Sequence, residues 1–133
     1  RDRDVTGVQT CALPISAIIH GLAAFTGSRR RFEIKGEVQG IRVVDDYGHH
    51  PTEISVTLQA ARRYAGSGRV ITIFQPHRFS RTQQFAREFT QALKNSDLVY
   101  LLDIYAASEK EIPGVSSELI VQAGDERFIY QKR

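Results

Sequence analysis

The segment DDYGHHPTE, residues 45–53, holds the densest group of chemically active side chains in this sequence. Two aspartates and two histidines fall within six residues, which a purely structural loop rarely needs. Such carboxylates and imidazoles can transfer protons or hold a polar ligand. A structural alternative stays open: Asp45 and Asp46 could cap the next helix, worth roughly 0.5–2 kcal/mol, and either histidine could be a hydrogen-bonded, half-buried side chain.

Two further polar clusters follow along the chain. Residues 75–82 read QPHRFSRT, and residues 103–109 read DIYAASE. Arg78 and Arg81 lie three apart and could form a solvated helix face. A place directly after a strand favours anion binding instead, because guanidinium groups and the amides of a helix start both suit carboxylates and phosphates.

The first cluster also suggests a metal site. Its spacing is not His-Glu-x-x-His, and neighbouring residues on a turn point in divergent directions. We therefore expect no protein-only metal site, and a Mg²⁺ ion held mostly by nucleotide phosphates is the better alternative. The five candidate ligands are Asp45, Asp46, His49, His50 and Glu53.

Apolar periodicity predicts the elements that position these clusters. Strands and helices alternate, which is typical of an open, mostly parallel α/β sheet with helices on both faces and ligands at the carboxyl ends of the strands. Residues 70–74 form an apolar run that predicts a strand buried on both faces. The predicted elements are a helix ending near Gly27, strands at 32–35 and 41–45, a helix from Pro51 to Gly66, the 70–74 strand, a helix with a Ser80–Gln83 capping box and a Phe85, Phe89, Leu93 stripe, a strand at 98–102, a short helix at 116–122 and a strand at 127–130.

Composition excludes several classes of protein. The 133 residues carry 18 Lys+Arg against 15 Asp+Glu, a net charge of +3 that is too small to indicate nucleic acid. With 41% hydrophobic and 25% charged residues, the chain is an ordinary globular domain. No apolar run reaches the roughly 18–20 residues of a membrane span. One cysteine excludes a disulfide scaffold and a cysteine-rich zinc module.

Residues 1–16 (RDRDVTGVQTCALPIS) show no period and resemble a translated sequencing adapter. We treat them as a non-native leader, with Cys11 outside any motif, and residues 17–133 as one domain. The alternative is an irregular native linker. The last strand has no covering helix after it, so we also expect the domain to be truncated at its C-terminus.

Four motifs in order resemble the C-terminal, Rossmann-like domain of the Mur ligases from about residue 17 to residue 124. They are RRFE at 30–33, DDYGHHPTEI at 45–54, FQPHRFSRT at 74–82, and the Tyr105, Glu109 and Gly-x-x-Ser segment up to residue 117. The likeness is greatest to the members that join L-alanine to UDP-N-acetylmuramate. The ligase that recycles murein tripeptide has a similar aspartate–histidine element, but a different counterpart of the His77-Arg78 segment.

The resemblance implies an ATP- and Mg²⁺-dependent carboxylate–amine ligase of peptidoglycan synthesis, working in the cytoplasm through an acyl phosphate. The phosphate-binding loop and the UDP-binding domain are not in this sequence, so we expect this chain alone to be inactive. Matching positions imply that ATP is contacted by Arg31, Asp46 and His49. They imply that the amino-acid substrate is contacted by His77, Arg78 and Arg81, with Tyr47 and His50 shaping the same pocket.

Two other classes stay open on the residues alone. A nucleic-acid-binding module would use the basic runs 29–31 and 62–63, although only Phe32 interleaves with them as a stacking residue. A metal-dependent hydrolase would use the aspartates and histidines of residues 45–50. Salt-dependent DNA binding would support the first class, and tight stoichiometric metal binding without nucleotide would support the second.

Overall fold

The computed structural model describes residues 14–25 and 27–132. Cys11 and residues 1–13 of the expected leader lie outside the described residues. The first helix, α1 (Ile15–Ala24), begins inside the segment assigned to the leader, ends three residues before Gly27, and buries none of its side chains. Within the described residues, no helix has the length and apolar character needed to cross a membrane.

An antiparallel hairpin precedes the first polar cluster. Strands β1 (Glu33–Val38) and β2 (Ile41–Asp45) pair from Glu33 opposite Asp45 to Val38 opposite Ile41. Their turn has φ 50° at Gln39 and φ 77° at Gly40, the two positive values of the tight turn that suits twisted strands. Both predicted strands are confirmed, but β2 pairs only with β1 and is not part of the parallel sheet.

The remaining elements alternate as the sequence predicts. Helix α2 (Pro51–Ala65) leads to β3 (Ile71–Phe74), α3 (Phe79–Leu93), β4 (Leu98–Leu101), α4 (Glu118–Gln122) and β5 (Phe128–Tyr130). The three strands form a parallel sheet in the order β3-β4-β5. The open α/β architecture is therefore confirmed, with parallel strand ends on one edge of the sheet.

One face of this sheet carries the core. Phe74, Val99 and Phe128 share that face and form one cluster with side chains of α2, α3 and α4. On the opposite face Ile71 is 50% exposed and Ile73 is 70% exposed. Among the described residues the helices therefore cover one face, whereas the sequence analysis placed helices on both. The prediction that the strand at 70–74 is buried on both faces is wrong.

The two long helices begin differently. Pro51 opens α2, whose first turn is closed by His50 and Glu53. Helix α3 begins after Arg78, at φ 74° and ψ 139°, and no side chain caps it. The predicted capping box from Ser80 to Gln83 is wrong, because the N-cap residue is Arg78, two residues before Ser80. The amide and hydroxyl of Ser80 are bonded instead to the distant carboxylate of Glu109.

Candidate functional site

Asp46 fastens the first polar loop to the start of the hairpin. Its two carboxylate oxygens accept backbone N–H groups from Phe32 and Gly48, each at 2.8 Å. The amide of Tyr47 donates to the carbonyl of Arg30 at 2.8 Å, and the Arg30 guanidinium lies 4.5 Å from the centre of the Tyr47 ring. Residues 30–32 and 46–48 are thereby held side by side.

The next residues form the start of α2. Glu53 accepts the backbone N–H groups of His49, at 3.0 Å, and His50, at 3.2 Å. The hydrogen bond from His49 is the main reason that the pKa of Glu53 lies below its ordinary value. The imidazole of His50 accepts the N–H of Thr52 at 3.3 Å and packs edge-on against Phe85 of α3 at 5.2 Å. Two carboxylates, Asp46 and Glu53, thus orient this loop through its backbone.

The second loop runs alongside the third. His77 and Tyr105 form a parallel bridge beyond the ends of β3 and β4. The amide of Arg78 donates to the Tyr105 carbonyl, and the amide of Tyr105 donates to the Pro76 carbonyl, both at 2.8 Å. Thr82, fully buried, donates its amide and hydroxyl to the Arg78 carbonyl. These bonds hold Arg78 in its positive-φ conformation.

Glu109 joins the third loop to α3. Its carboxylate accepts the Ser80 hydroxyl at 2.7 Å and the Ser80 amide at 3.1 Å. The hydroxyl bond is the main reason that the pKa of Glu109 lies below its ordinary value. Ala107 and Ser108, at φ 48° and 72°, turn the chain so that Glu109 reaches back to the helix. Sequence reasoning named the cluster but did not place Glu109 in the site.

Four rings form a row across the three loops. The centroid distances are 5.2 Å from Tyr47 to His49, 6.0 Å from His49 to His77 and 5.5 Å from His77 to Tyr105. The predicted convergence of the three clusters at the strand ends is therefore confirmed in the geometry. Tyr105, 57% exposed, is a member of this row that the sequence analysis left out of the site.

The candidate amino-acid end is built around His77. Arg81, one helical turn further on, places a guanidinium nitrogen 3.4 Å from the His77 Nδ1 atom. Burial is the main reason that the pKa of His77 lies below its ordinary value, and the charges of Arg81 and Arg78 lower it further. His77 and Arg81 are half-buried, whereas Arg78 is exposed.

The candidate nucleotide end is more open. Arg31 is exposed and lines a shallow surface cavity of about 370 Å³. The other lining residues are Gly27, Ser28, Arg29, Phe32, Glu33 and Ile34. Asp46 reaches this segment through its bond to the Phe32 amide. Asp46 and His49 thus lie on the same loop, and Arg31 lies on the neighbouring segment to which Asp46 is hydrogen-bonded.

A polar pair also links the carboxyl ends of β4 and β5. The Tyr130 hydroxyl donates to Asp103, and this bond raises the pKa of Tyr130 to about 12.

Across the described residues, no three histidine, cysteine, aspartate or glutamate side chains are grouped so as to hold a metal ion.

Residues 30–131 match the family model described as "Mur ligase, glutamate ligase domain". The chain belongs to the Mur ligase family. The match continues to residue 131, beyond residue 124 where the resemblance was expected to fade. It covers all three loops of the site.

Known members of the family resemble the chain over most of its length. It is 55% identical over 111 residues, 84% of the chain, to the UDP-N-acetylmuramate--L-alanine ligase of Desulforamulus reducens. It is 27% identical, with a TM-score of 0.73, to the UDP-N-acetylmuramate-alanine ligase of Thermotoga maritima, over 94% of the chain and 26% of that structure. A murein peptide ligase of Psychrobacter arcticus, 24% identical over 93% of the chain and 26% of that structure, shares the fold with a TM-score of 0.62. The chain spans about a quarter of the length of the curated relative.

Proposed function

We propose that this Mur ligase domain is the C-terminal part of an ATP-dependent ligase that joins L-alanine to UDP-N-acetylmuramate. The observation that carries the proposal is the 55% identity, over 111 residues and 84% of the chain, to a relative named for that reaction. In this reaction ATP phosphorylates the muramate carboxylate and leaves ADP. The amine of L-alanine then attacks the acyl phosphate, and phosphate leaves as the amide forms. The product serves peptidoglycan synthesis, and hence cell shape and division, in the cytoplasm.

The residues around His77 fit the amino acid. L-alanine presents a carboxylate, and a guanidinium fork is the protein group that best matches a carboxylate. Arg78 and Arg81 supply two such groups within four residues at the start of α3. Tyr47 and His50 border the same region, because the Tyr47 ring packs on His49 and the His50 ring packs on α3. We assign these residues to amino-acid binding.

The cavity beside Arg31 fits a polyphosphate. Arg29 and Arg31 contribute two positive charges to its lining against one carboxylate, Glu33, and Phe32 contributes an apolar ring. Each Asp46 oxygen retains a free lone pair after accepting one backbone N–H, so Asp46 can still accept a ribose hydroxyl. We assign Arg31, Asp46 and His49 to ATP. Mg²⁺, which would neutralise phosphate charge during transfer, would be held by those phosphates and by parts of the ligase outside this chain.

A murein-peptide ligase is the second candidate, because a member of that class shares this fold. The two candidates differ in substrate. The first acts on free L-alanine, and the second would join a preformed peptide to the same kind of sugar nucleotide. A substrate comparison in one assay therefore separates them.

The test is a graft of residues 17–124 in place of the equivalent segment of an active alanine-adding relative. We expect ADP release that requires both UDP-N-acetylmuramate and L-alanine. Arg78→Ala should abolish the ADP release that depends on L-alanine. The control Arg87→Ala, at an exposed arginine of α3, should retain it. A folded graft that ignores L-alanine but uses murein tripeptide would favour the second candidate. A folded graft inactive with both would refute the proposal.

A further inference from the structure

The two central rings of the row, His49 and His77, are held in opposite tautomers. The Nδ1 atom of His49 lies 3.1 Å from the carbonyl oxygen of Tyr47, which can only accept, so this nitrogen carries the proton. The Nδ1 atom of His77 lies 3.4 Å from a guanidinium nitrogen of Arg81, which can only donate, so this nitrogen carries none. Neutral His49 therefore keeps a lone pair on Nε2, and neutral His77 keeps an N–H there.

The surroundings of His77 keep it neutral. Arg81 and Arg78 on the α3 side and His49 on the first loop all disfavour a positive charge on the ring, as does burial. Glu109, on the third loop, favours that charge, but its oxygens are already bonded to Ser80. An imidazole that receives a hydrogen bond from an arginine is a poor proton acceptor. It remains a good donor through its other nitrogen.

The surroundings of His49 differ. Glu53 lies 3.8 Å from its Nδ1 atom, and two backbone amides keep this carboxylate ionised. A proton that arrives at Nε2 of His49 would therefore create an ion pair with Glu53. The Tyr47 carbonyl thus fixes the orientation of the ring, and the Glu53 carboxylate, 3.8 Å from Nδ1, would stabilise the charge of a protonated His49.

We propose that His49 accepts the proton that the ammonium group of the incoming amino acid must lose, while His77 stays neutral and donates Nε2–H to the carboxylate of the same molecule. This inference rests on the proposed function and gives His49 a catalytic role beside the nucleotide contact assigned above. The ammonium N–H bond breaks as the proton binds Nε2 of His49. The freed amine lone pair forms the bond to the acyl carbon, and phosphate departs with the electron pair of the broken C–O bond. The second proton that the nitrogen loses as it becomes an amide leaves with the phosphate.

The tautomers can be measured on this chain without any substrate. Long-range ¹H–¹⁵N correlation spectra of the ¹⁵N-labelled protein distinguish a protonated from an unprotonated ring nitrogen. At neutral pH we expect Nδ1–H at His49 and Nε2–H at His77. Arg81→Met should release His77 into a mixture of tautomers, while Arg81→Lys and the matched control Arg87→Met should preserve Nε2–H. The same tautomer at both rings, or a charged His77 at neutral pH, would overturn the inference.

The grafted ligase tests the roles separately. Hydroxylamine traps an acyl phosphate, so the first half-reaction can be followed without L-alanine. His49→Gln should leave this trapping within about twofold and lower amide formation at least tenfold. A parallel loss of trapping would show that His49 serves only the nucleotide, which contradicts our assignment. His77→Gln, whose amide can donate near the Nε2 position, should keep a lower KM for L-alanine than His77→Asn. An inactive wild-type graft with the expected tautomers would refute the proposed function and leave the ring assignment intact.

Discussion

Arg78 has φ 74° and ψ 139°, a backbone conformation that residues with a Cβ rarely adopt. Conformations of this kind cost about 1–3 kcal/mol and persist where the surrounding structure enforces them. Here the enforcement comes from the Tyr105 carbonyl, which accepts the Arg78 amide, and from Thr82, which bonds to the Arg78 carbonyl. Replacement by glycine removes the strain, whereas replacement by alanine keeps it.

The expected difference follows from two opposing contributions. Relief of strain stabilises Arg78→Gly by about 1–3 kcal/mol, and the extra freedom of glycine in the unfolded chain costs about 0.4–1 kcal/mol. Both variants remove the same side chain, so its loss cancels in the comparison. Arg78→Gly should therefore be more stable than Arg78→Ala by about 1 kcal/mol, or roughly 3–4 °C in Tm for a chain of this size.

The assay is urea and thermal unfolding of the 133-residue chain, followed by circular dichroism. Arg87→Gly, on the same helix at an ordinary helical position, is the control and should lower stability by about 1 kcal/mol relative to Arg87→Ala. Opposite signs at the two positions would support the reasoning. If glycine were the less stable residue at both positions, the strain at Arg78 would be refuted.

Three other predictions concern stability and titration. Asp46→Ala removes both bonds that join the first loop to the hairpin and should cost about 2–4 kcal/mol in the free energy of unfolding; a loss below 1 kcal/mol would mean that these bonds are not formed in solution. Val99→Ala in the core should cost about 2–3 kcal/mol, while Ile73→Thr on the exposed sheet face should change stability by less than about 0.5 kcal/mol, and equal losses would show that this face is covered. Asp125, which accepts two hydrogen bonds from the Arg127 guanidinium, has a pKa of about 2. Its contribution to stability is complete above its unfolded pKa and is lost as pH falls from about 4 to about 2. A carboxyl titration by NMR should show this pKa, and Arg127→Gln should return it towards the ordinary range.

Patterns that depend on neighbouring residues were predictable from the sequence. The helix at Pro51 and the stripe of Phe85, Phe89 and Leu93 follow from local spacing. Phe89 and Leu93 are fully buried, whereas Phe85 is half-buried against the core at a kink in α3. The meeting of the second and third polar clusters was also predictable, because the carboxyl ends of the parallel strands β3 and β4 share one edge of the sheet. The first cluster joins that edge from the hairpin, through the contact between the His49 and His77 rings.

Features that depend on distant partners were not predictable. Ser80 has the spacing of a helix cap, but Glu109, 29 residues further along, takes both of its donor groups. The strain at Arg78 carries no sequence signal, because no glycine marks the position. The run at residues 70–74 shows no clear alternation of apolar and polar side chains, so the sequence predicts that both faces of the strand are buried. In the structure Ile73 lies on an exposed face of the sheet.

The two ends of the site differ in how firmly they are built. At the amino-acid end, the ring and backbone of His77 and the backbone of Arg78 are fixed by bonds to the third loop and by Arg81. At the nucleotide end, Arg31 is exposed and its side chain has no comparable anchor within residues 14–25 and 27–132. Rigid groups lose little entropy on binding, and exposed arginines must be ordered by the ligand itself. We therefore expect the amino-acid end to be preformed, whereas the Arg31 end should reach its binding geometry only when the phosphates arrive.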